Sequence, residues 1–321
     1  MATEFELIER HFTRPAKSVL LGVGDDCALL KVADGLALAI STDMLVEGTH
    51  FFAGAEPRLL GHKALAVNLS DIAAMGADPR WVTLAIALPQ ADEAWVAAFA
   101  AGFFALADRF GVELIGGDTT RGPLTLSLTI LGTSPPGLAL RRDGARAGDD
   151  IWISGSTGDA ALAVAHRRGE IVLEGTAFAH CAERLDTPEP RVALGRAIRA
   201  IATAAIDVSD GLVADLGHIC KRSRLGAELI LAEVPRSAAL RACVDQARAG
   251  AALLAGGDDY ELVFTAPPGD AGSIEAAAAR VGVPVTRIGR MVAAAGGQVR
   301  VLGPDGEALS LERPGFDHFG R

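Results

Sequence analysis

At 321 residues, half of them hydrophobic, the chain is long enough for two domains with substantial cores. Its formal charge of −10 argues against a nucleic-acid partner, because phosphate backbones are met by clustered Lys and Arg. Four scattered cysteines, Cys27, Cys181, Cys220 and Cys243, have neither Cys-x-x-Cys pairing nor zinc-like spacing and read as reduced thiols of a cytoplasmic protein.

In chain order, residues 1–12 alternate acids with Phe5, Leu7, Ile8 and Phe12 and predict an amphipathic surface helix rather than a signal peptide. Strands are expected at 36–40, 82–88 and 124–131, and helices at 57–75 and 92–110. Pro57 suits a first helical turn, and Gly76 to Pro79 supply the stop. The longest apolar stretch, 94–107, is shorter than the roughly 20 residues a membrane span needs, so no membrane partner is expected. Its Phe99, Phe103 and Phe104 read as core. Ser134-Pro135-Pro136-Gly137 breaks the pattern, and a boundary here gives domains 1–137 and 138–321. Beyond it the pattern predicts strands at 151–154, into Asp207, at 227–231 and at 261–265. Helices are expected at 158–168, 190–203, 211–223 and 273–281, and a hairpin around Gly303-Pro304-Asp305-Gly306. The fold class is therefore mixed α/β or α+β in both halves.

Six times an apolar run stops at small residues followed by aspartate: at Asp25-Asp26, Asp43, Asp71, Asp118, Asp207 to Asp210, and Asp258-Asp259. Each alone fits a turn or a helix cap; together they could form one acidic pocket, which would need cations. Asp71 is the most telling, since it lies in a helix of small and apolar residues with Asn68 three positions earlier on the same face. Burying such a carboxylate unpaired is costly, and magnesium is the hard cation that bridges carboxylates to phosphates. Ser41-Thr42-Asp43 closes a strand with two hydroxyls and a carboxylate and reads as ligands or as a helix cap. Gly116-Gly117-Asp118-Thr119-Thr120 reads as a phosphate-binding backbone or as a tight turn.

Other nucleotide and nucleophile signatures are absent. No Gly-x-x-x-x-Gly-Lys-Ser/Thr occurs, and the four lysines are Lys17, Lys31, Lys63 and Lys221. There is no His-Arg-Asp with a later Asp-Phe-Gly and no Gly-x-Ser-x-Gly elbow. Arg141, Arg142 and Arg146 remain as donors to a polyphosphate, or as a solvated basic loop.

Taken in order, the motifs at 22–28 (Gly-Val-Gly-Asp-Asp-Cys-Ala), 41–50, 63–71, 73–77, 116–120, 207–212 and 315–319 (Gly-Phe-Asp-His-Phe) resemble those of the thiamine-monophosphate kinases. That family lies in the superfamily of aminoimidazole ribonucleotide synthetase and selenophosphate synthetase. The resemblance spans nearly the whole chain. It implies a two-domain synthetase-like fold, an N-terminal α/β domain that dimerises through its sheet and a C-terminal α/β domain. The implied reaction is ATP-dependent phosphorylation of thiamine phosphate to thiamine diphosphate, with several Mg2+ ions. By matching motif positions, Asp26, Ser41, Thr42, Asp43, Asp71, Asp118, Asp207 and Asp210 would hold the metals. Gly117, Asp118, Arg142 and Ser209 would contact ATP, and His50, Asp258 and Phe316 the thiamine phosphate, with Asp71, Asp210 and Arg142 carrying the catalysis. Asp258 stands where the family often has Glu, and Phe316 where Tyr or Trp is frequent. The rival readings are another ATP-dependent synthetase of the superfamily and a non-catalytic Mg-nucleotide sensor.

Overall fold

Two sheets organise the chain, one in each of two units, Met1–Ile72 with Ala77–Gly137 and Ala73–Gly76 with Leu138–Arg321. The computed structural model describes residues 3–243, 245–294, 297–311, 313–316 and 318–319. Met1, Ala2 and Asp317, all within the segments singled out above, lie outside the described residues.

In the first unit, helix α1 (Glu4–Leu7) is started by a capping box. Thr3 accepts from the Glu6 N–H, and Glu6 returns the bond to the Thr3 N–H at 2.8 Å. The turn then widens, with Thr13 N–H reaching the Ile8 carbonyl at 3.0 Å, and only Leu7 and Phe12 of the expected apolar face are buried. Strand β1 (Ala37–Val46), helix α2 (Pro57–Ala74), strand β2 (Asp78–Leu88), helix α3 (Glu93–Phe110), strand β3 (Glu113–Arg121) and strand β4 (Thr125–Ser134) follow. The sheet order is β1-β4-β2-β3. Only the β2–β3 pair is parallel, as a crossover through a helix requires, and α3 is that crossover. Asp92 caps α3 by accepting from the Trp95 N–H, and Gly111 ends it in the left-handed region. Residues 64–70 of α2 are all buried, Asn68 and Ser70 included, so this stretch of the helix is enclosed all round rather than presenting one apolar stripe.

The β2–β3 ladder skips a residue. Val82 faces Leu114 and Thr83 faces Gly116, which leaves Ile115 as a bulge. Beyond it Gly116 to Thr120 continue as edge strand, which corrects the reading of this segment as a turn or loop. β1 is also longer than expected, so Ser41-Thr42-Asp43 lies in the middle of a strand instead of closing one.

The second unit holds β5 (Asp150–Ser154), α4 (Asp159–Arg167), α5 (Gly175–Asp186), α6 (Val192–Ile198), β6 (Ala204–Asp207), α7 (Leu212–Ser223) and β7 (Gly226–Ile230). It continues with α8 (Ala238–Ala242), α9 (Gln246–Ala255), β8 (Leu262–Ala266), α10 (Ala271–Arg280), β9 (Val285–Val292), β10 (Val299–Leu302) and β11 (Ala308–Leu309). Its seven strands run β11-β10-β7-β9-β5-β8-β6. β5 and β8 are adjacent interior strands and both wholly buried, with Trp152 stacked on Phe264. The helix expected over 190–203 is confined to Val192–Ile198. Arg191 just before it is drawn to the buried Glu261, with Nε and an Nη at 2.7 and 2.6 Å. Arg184 of α5 and Ser154 of β5 complete the partners of that carboxylate. α5, α8, α9 and β9 were not anticipated; the expected hairpin is β10–β11.

Candidate active site

Strand alternation divides the first cluster. Thr42 bonds across to Thr129 of β4, Oγ1 to Oγ1 at 2.9 Å, whereas Ser41 on the opposite face donates its hydroxyl to Asp71 Oδ2 of α2. Asp43 shares the Ser41 face. Burial, and then the neighbouring charge of Asp71, push its carboxyl up to about 7. Two carboxylates held together with little solvent call for positive charge or a proton. One turn earlier on α2, buried Asn68 gives its Nδ2 to the Ala64 carbonyl at 2.9 Å and has no partner for Oδ1.

Other predicted residues of this unit lie elsewhere. Asp26 is exposed on the loop closed by the Leu21–Leu29 bridge. Asp118 is exposed on β3, three inter-strand gaps from β1 in the sheet order, roughly 14 Å at the usual strand spacing. Gly117 is required by close packing: its φ is 149°, and a Cβ there would meet the Leu84 carbonyl oxygen at 1.8 Å. His50 follows β1, and its Nδ1 accepts the Val46 N–H at 3.0 Å. A neutral ring in this bond carries its proton on Nε2.

In the second unit the last two aspartate corners and the C-terminal motif are knit together by main-chain bonds. Val208 N–H donates to the Glu261 carbonyl and Tyr260 N–H to the Val208 carbonyl, both at 2.8 Å. Asp258 N–H donates to the Ser209 carbonyl, and Phe316 N–H to the Asp210 carbonyl, both at 2.9 Å. Side by side, then, stand Ser209, Asp210, Asp258 and Phe316, whose ring is half-exposed. Asp207, at the end of β6, is buried. Arg141 accepts the Ala205 N–H at 3.2 Å, which sets residues 141–142 along β6. Arg142 is exposed, while Arg141 is engaged by Asp143.

Asp258 and Tyr260 have φ of 66° and 52°, a region costly for a residue as large as tyrosine. The strain is held in place by neighbours. The Tyr260 hydroxyl donates to Asp258 Oδ1 at 3.0 Å, and Asp259 between them accepts the Gly158 N–H at 2.8 Å. Burial holds the Asp259 carboxyl well above its ordinary range, against the pull of Gly158 and Arg184. Asp215 of α7 is also buried and accepts three main-chain N–H groups from residues 209–211. Its carboxyl is pushed up to about 7, chiefly by burial. Asp215 and Arg184 were not anticipated from the sequence, and Asp259 was singled out only as part of the last aspartate corner; for Asp215 the available signal was an acid in the first turn of a helix that follows a glycine. Among the described residues, no three or more His, Cys, Asp or Glu side chains converge in a metal-binding group.

The profile of "AIR synthase related protein, N-terminal domain" matches residues 24–134, and that of its C-terminal domain matches 146–302. A thiamine-monophosphate kinase of Salmonella typhimurium is 48% identical over 320 residues, 98% of each chain. The crystal structure of thiamine-monophosphate kinase from Stenotrophomonas maltophilia aligns with a TM-score of 0.84 at 48% identity, covering 91% of this chain and 93% of that one. AaThiL complexed with AMPPCP and TMP aligns with a TM-score of 0.77 at 30% identity, covering 92% of each.

Proposed function

Because the chain belongs to the thiamine-monophosphate kinase family of AIR synthase related proteins, we infer that it transfers the γ-phosphoryl group of ATP to thiamine monophosphate, giving thiamine diphosphate and ADP. The observation that carries this reading is the main-chain knitting of Ser209 to Asp258 and of Asp210 to Phe316, which sets expected nucleotide and acceptor residues next to each other.

At neutral pH a phosphate monoester is already largely anionic and needs no strong base to become a nucleophile. The obstacle is repulsion between it and the triphosphate. Magnesium, when bound, supplies the positive charge that lowers this repulsion and favours in-line transfer. The donor set fits such an ion: hard oxygens from Ser41, Asp43 and Asp71, with Asp43 poorly solvated beside a second carboxylate. In this reading Asp26, Ser41, Thr42, Asp43, Asp71 and Asp118 of the first unit, and Asp207 and Asp210 of the second, hold several ions.

Gly117, Asp118, Ser209 and Arg142 contact ATP, and the exposed guanidinium of Arg142 offers a fixed charge to the transferring group. Three residues receive the acceptor. His50 presents an N–H from Nε2, Phe316 offers a ring face to the heterocycle, and Asp258 offers a carboxylate oriented by Tyr260. Leu38, Ile40 and Met44 are exposed along edge strand β1, and this apolar row supports a homodimer formed through the first sheet. No described helix is long and apolar enough to cross a membrane. The four free thiols support a cytoplasmic setting.

Incubation with ATP, magnesium and, separately, thiamine monophosphate, thiamine and aminoimidazole-type precursors, with products identified by mass, tests the assignment. Thiamine diphosphate from thiamine monophosphate alone is expected. Tight nucleotide binding with no ADP released would replace the enzyme with a sensor.

A further inference from the structure

Asp215 lies in the first turn of α7 and is 2% exposed. Its Oδ2 accepts the main-chain N–H groups of Ser209, Asp210 and Gly211 at 3.0, 3.0 and 3.1 Å. Successive N–H groups converging on one point form a concavity for an anion, and here the chain's own carboxylate fills it. Gly211, the residue that starts α7, has no side chain with which to cap the helix, so Asp215 does this from inside. The carbonyls of the same loop are engaged as well, that of Ser209 by Asp258 and that of Asp210 by Phe316. At both residues N–H and C=O are therefore fixed. A carboxylate at this depth is costly, and Leu212, Leu216 and Ile219 around it show that an apolar side chain suits the helix's inner face.

We propose that Asp215 is a positioning residue for the nucleotide side of the reaction, setting the backbone from which Ser209 and Asp210 present their side chains to magnesium-bound ATP. This rests on the assignment of those two residues made above. Asp258 is bonded to the Ser209 carbonyl but has further supports of its own in Tyr260 and in the Gly158–Asp259 bond, so the acceptor side depends less on Asp215 than the nucleotide side does.

The test is titration calorimetry on the full chain with a non-hydrolysable ATP analogue plus magnesium and, separately, with thiamine monophosphate. It compares Asp215→Leu, Asp215→Asn and Ser209→Ala and is read beside kcat. Asp215→Leu keeps the branched outline, with bulkier methyl groups, and loses the acceptor; it should weaken the analogue about tenfold and lower kcat on the order of 100-fold, the usual effect of a small misplacement. Thiamine monophosphate affinity should stay within about twofold, and Asp215→Asn, which keeps a neutral oxygen, should recover most of the analogue affinity. Equal losses for both ligands in folded Asp215→Leu, or no loss, would overturn the proposal. If Asp215→Leu does not fold, Asp215→Asn decides: an analogue affinity roughly threefold weaker with thiamine monophosphate unchanged supports it, and equal changes or none overturn it. Ser209→Ala separates the two layers. Unchanged analogue affinity there would sink the nucleotide assignment itself; a loss there with none in Asp215→Leu would remove only the positioning role.

Discussion

The main chain of Asp258 is bonded to that of Ser209, N–H to carbonyl at 2.9 Å, and Gly257 beside it packs directly on the same carbonyl. A Cβ at 257 would lie 2.3 Å from the Ser209 oxygen. Because that neighbour is backbone, it cannot swing aside. Gly257→Ala should cost about 1–3 kcal/mol, in the range of overpacking, and should raise KM for both ATP and thiamine monophosphate. Thermal melting and steady-state kinetics check this; an unchanged midpoint with both KM values intact would show the two corners to be independent.

Asp71→Asn should abolish turnover while leaving the fold intact. Without divalent cation the variant should be no less stable than the parent, since one of two crowded charges is gone. Chelation of magnesium should abolish turnover of the parent chain and its ATP binding. Circular dichroism melts with and without EDTA, beside an ADP-release assay, are the measurements. Parental activity in Asp71→Asn would remove the metal account.

Tyr260→Phe removes the hydroxyl that orients Asp258 Oδ1. One hydrogen bond to a charged group is worth about 1.5–3 kcal/mol, so KM for thiamine monophosphate should rise roughly tenfold or more, with KM for ATP unchanged. A rise confined to ATP would place Asp258 on the wrong substrate.

Asp259 gives a pH test. Its folded pKa is raised above the ordinary 3.8, so the stability it contributes is complete below that value and is lost as pH rises through the folded value. Asn cannot ionise and keeps an oxygen for the Gly158 N–H. The advantage of Asp259→Asn over the parent should therefore grow with pH above about 4, by at most about 1.4 kcal/mol per unit. Parallel melting profiles between pH 4 and 8 would contradict this.

Much of this was readable in the chain. Asp92 and Gly111 bracket α3 by local chemistry alone, and the hairpin at 303–306 is set by its own turn residues. Gly116-Gly117 was not readable, because the same two residues serve a turn as well as they serve a bulged edge strand that presses on Leu84; partner strands decide between these. Nor could β1 disclose that Thr42 faces Thr129 while Ser41 faces Asp71, which depends on α2 lying over one side only. Asp215 looks like any helical aspartate until the loop bending back onto it is seen.

The extra residue at Ile115 sets the parity of everything after it. Counting by twos from the buried Leu114 arrives at Asp118, which strict alternation would turn inward; instead Thr119 is buried and Asp118 is exposed. Straightening this edge by sliding it one residue would do more than loosen a strand. It would carry a charge from one side of the sheet to the other, and a phosphate chemistry that relies on Asp118 would lose it without any change to Asp118 itself.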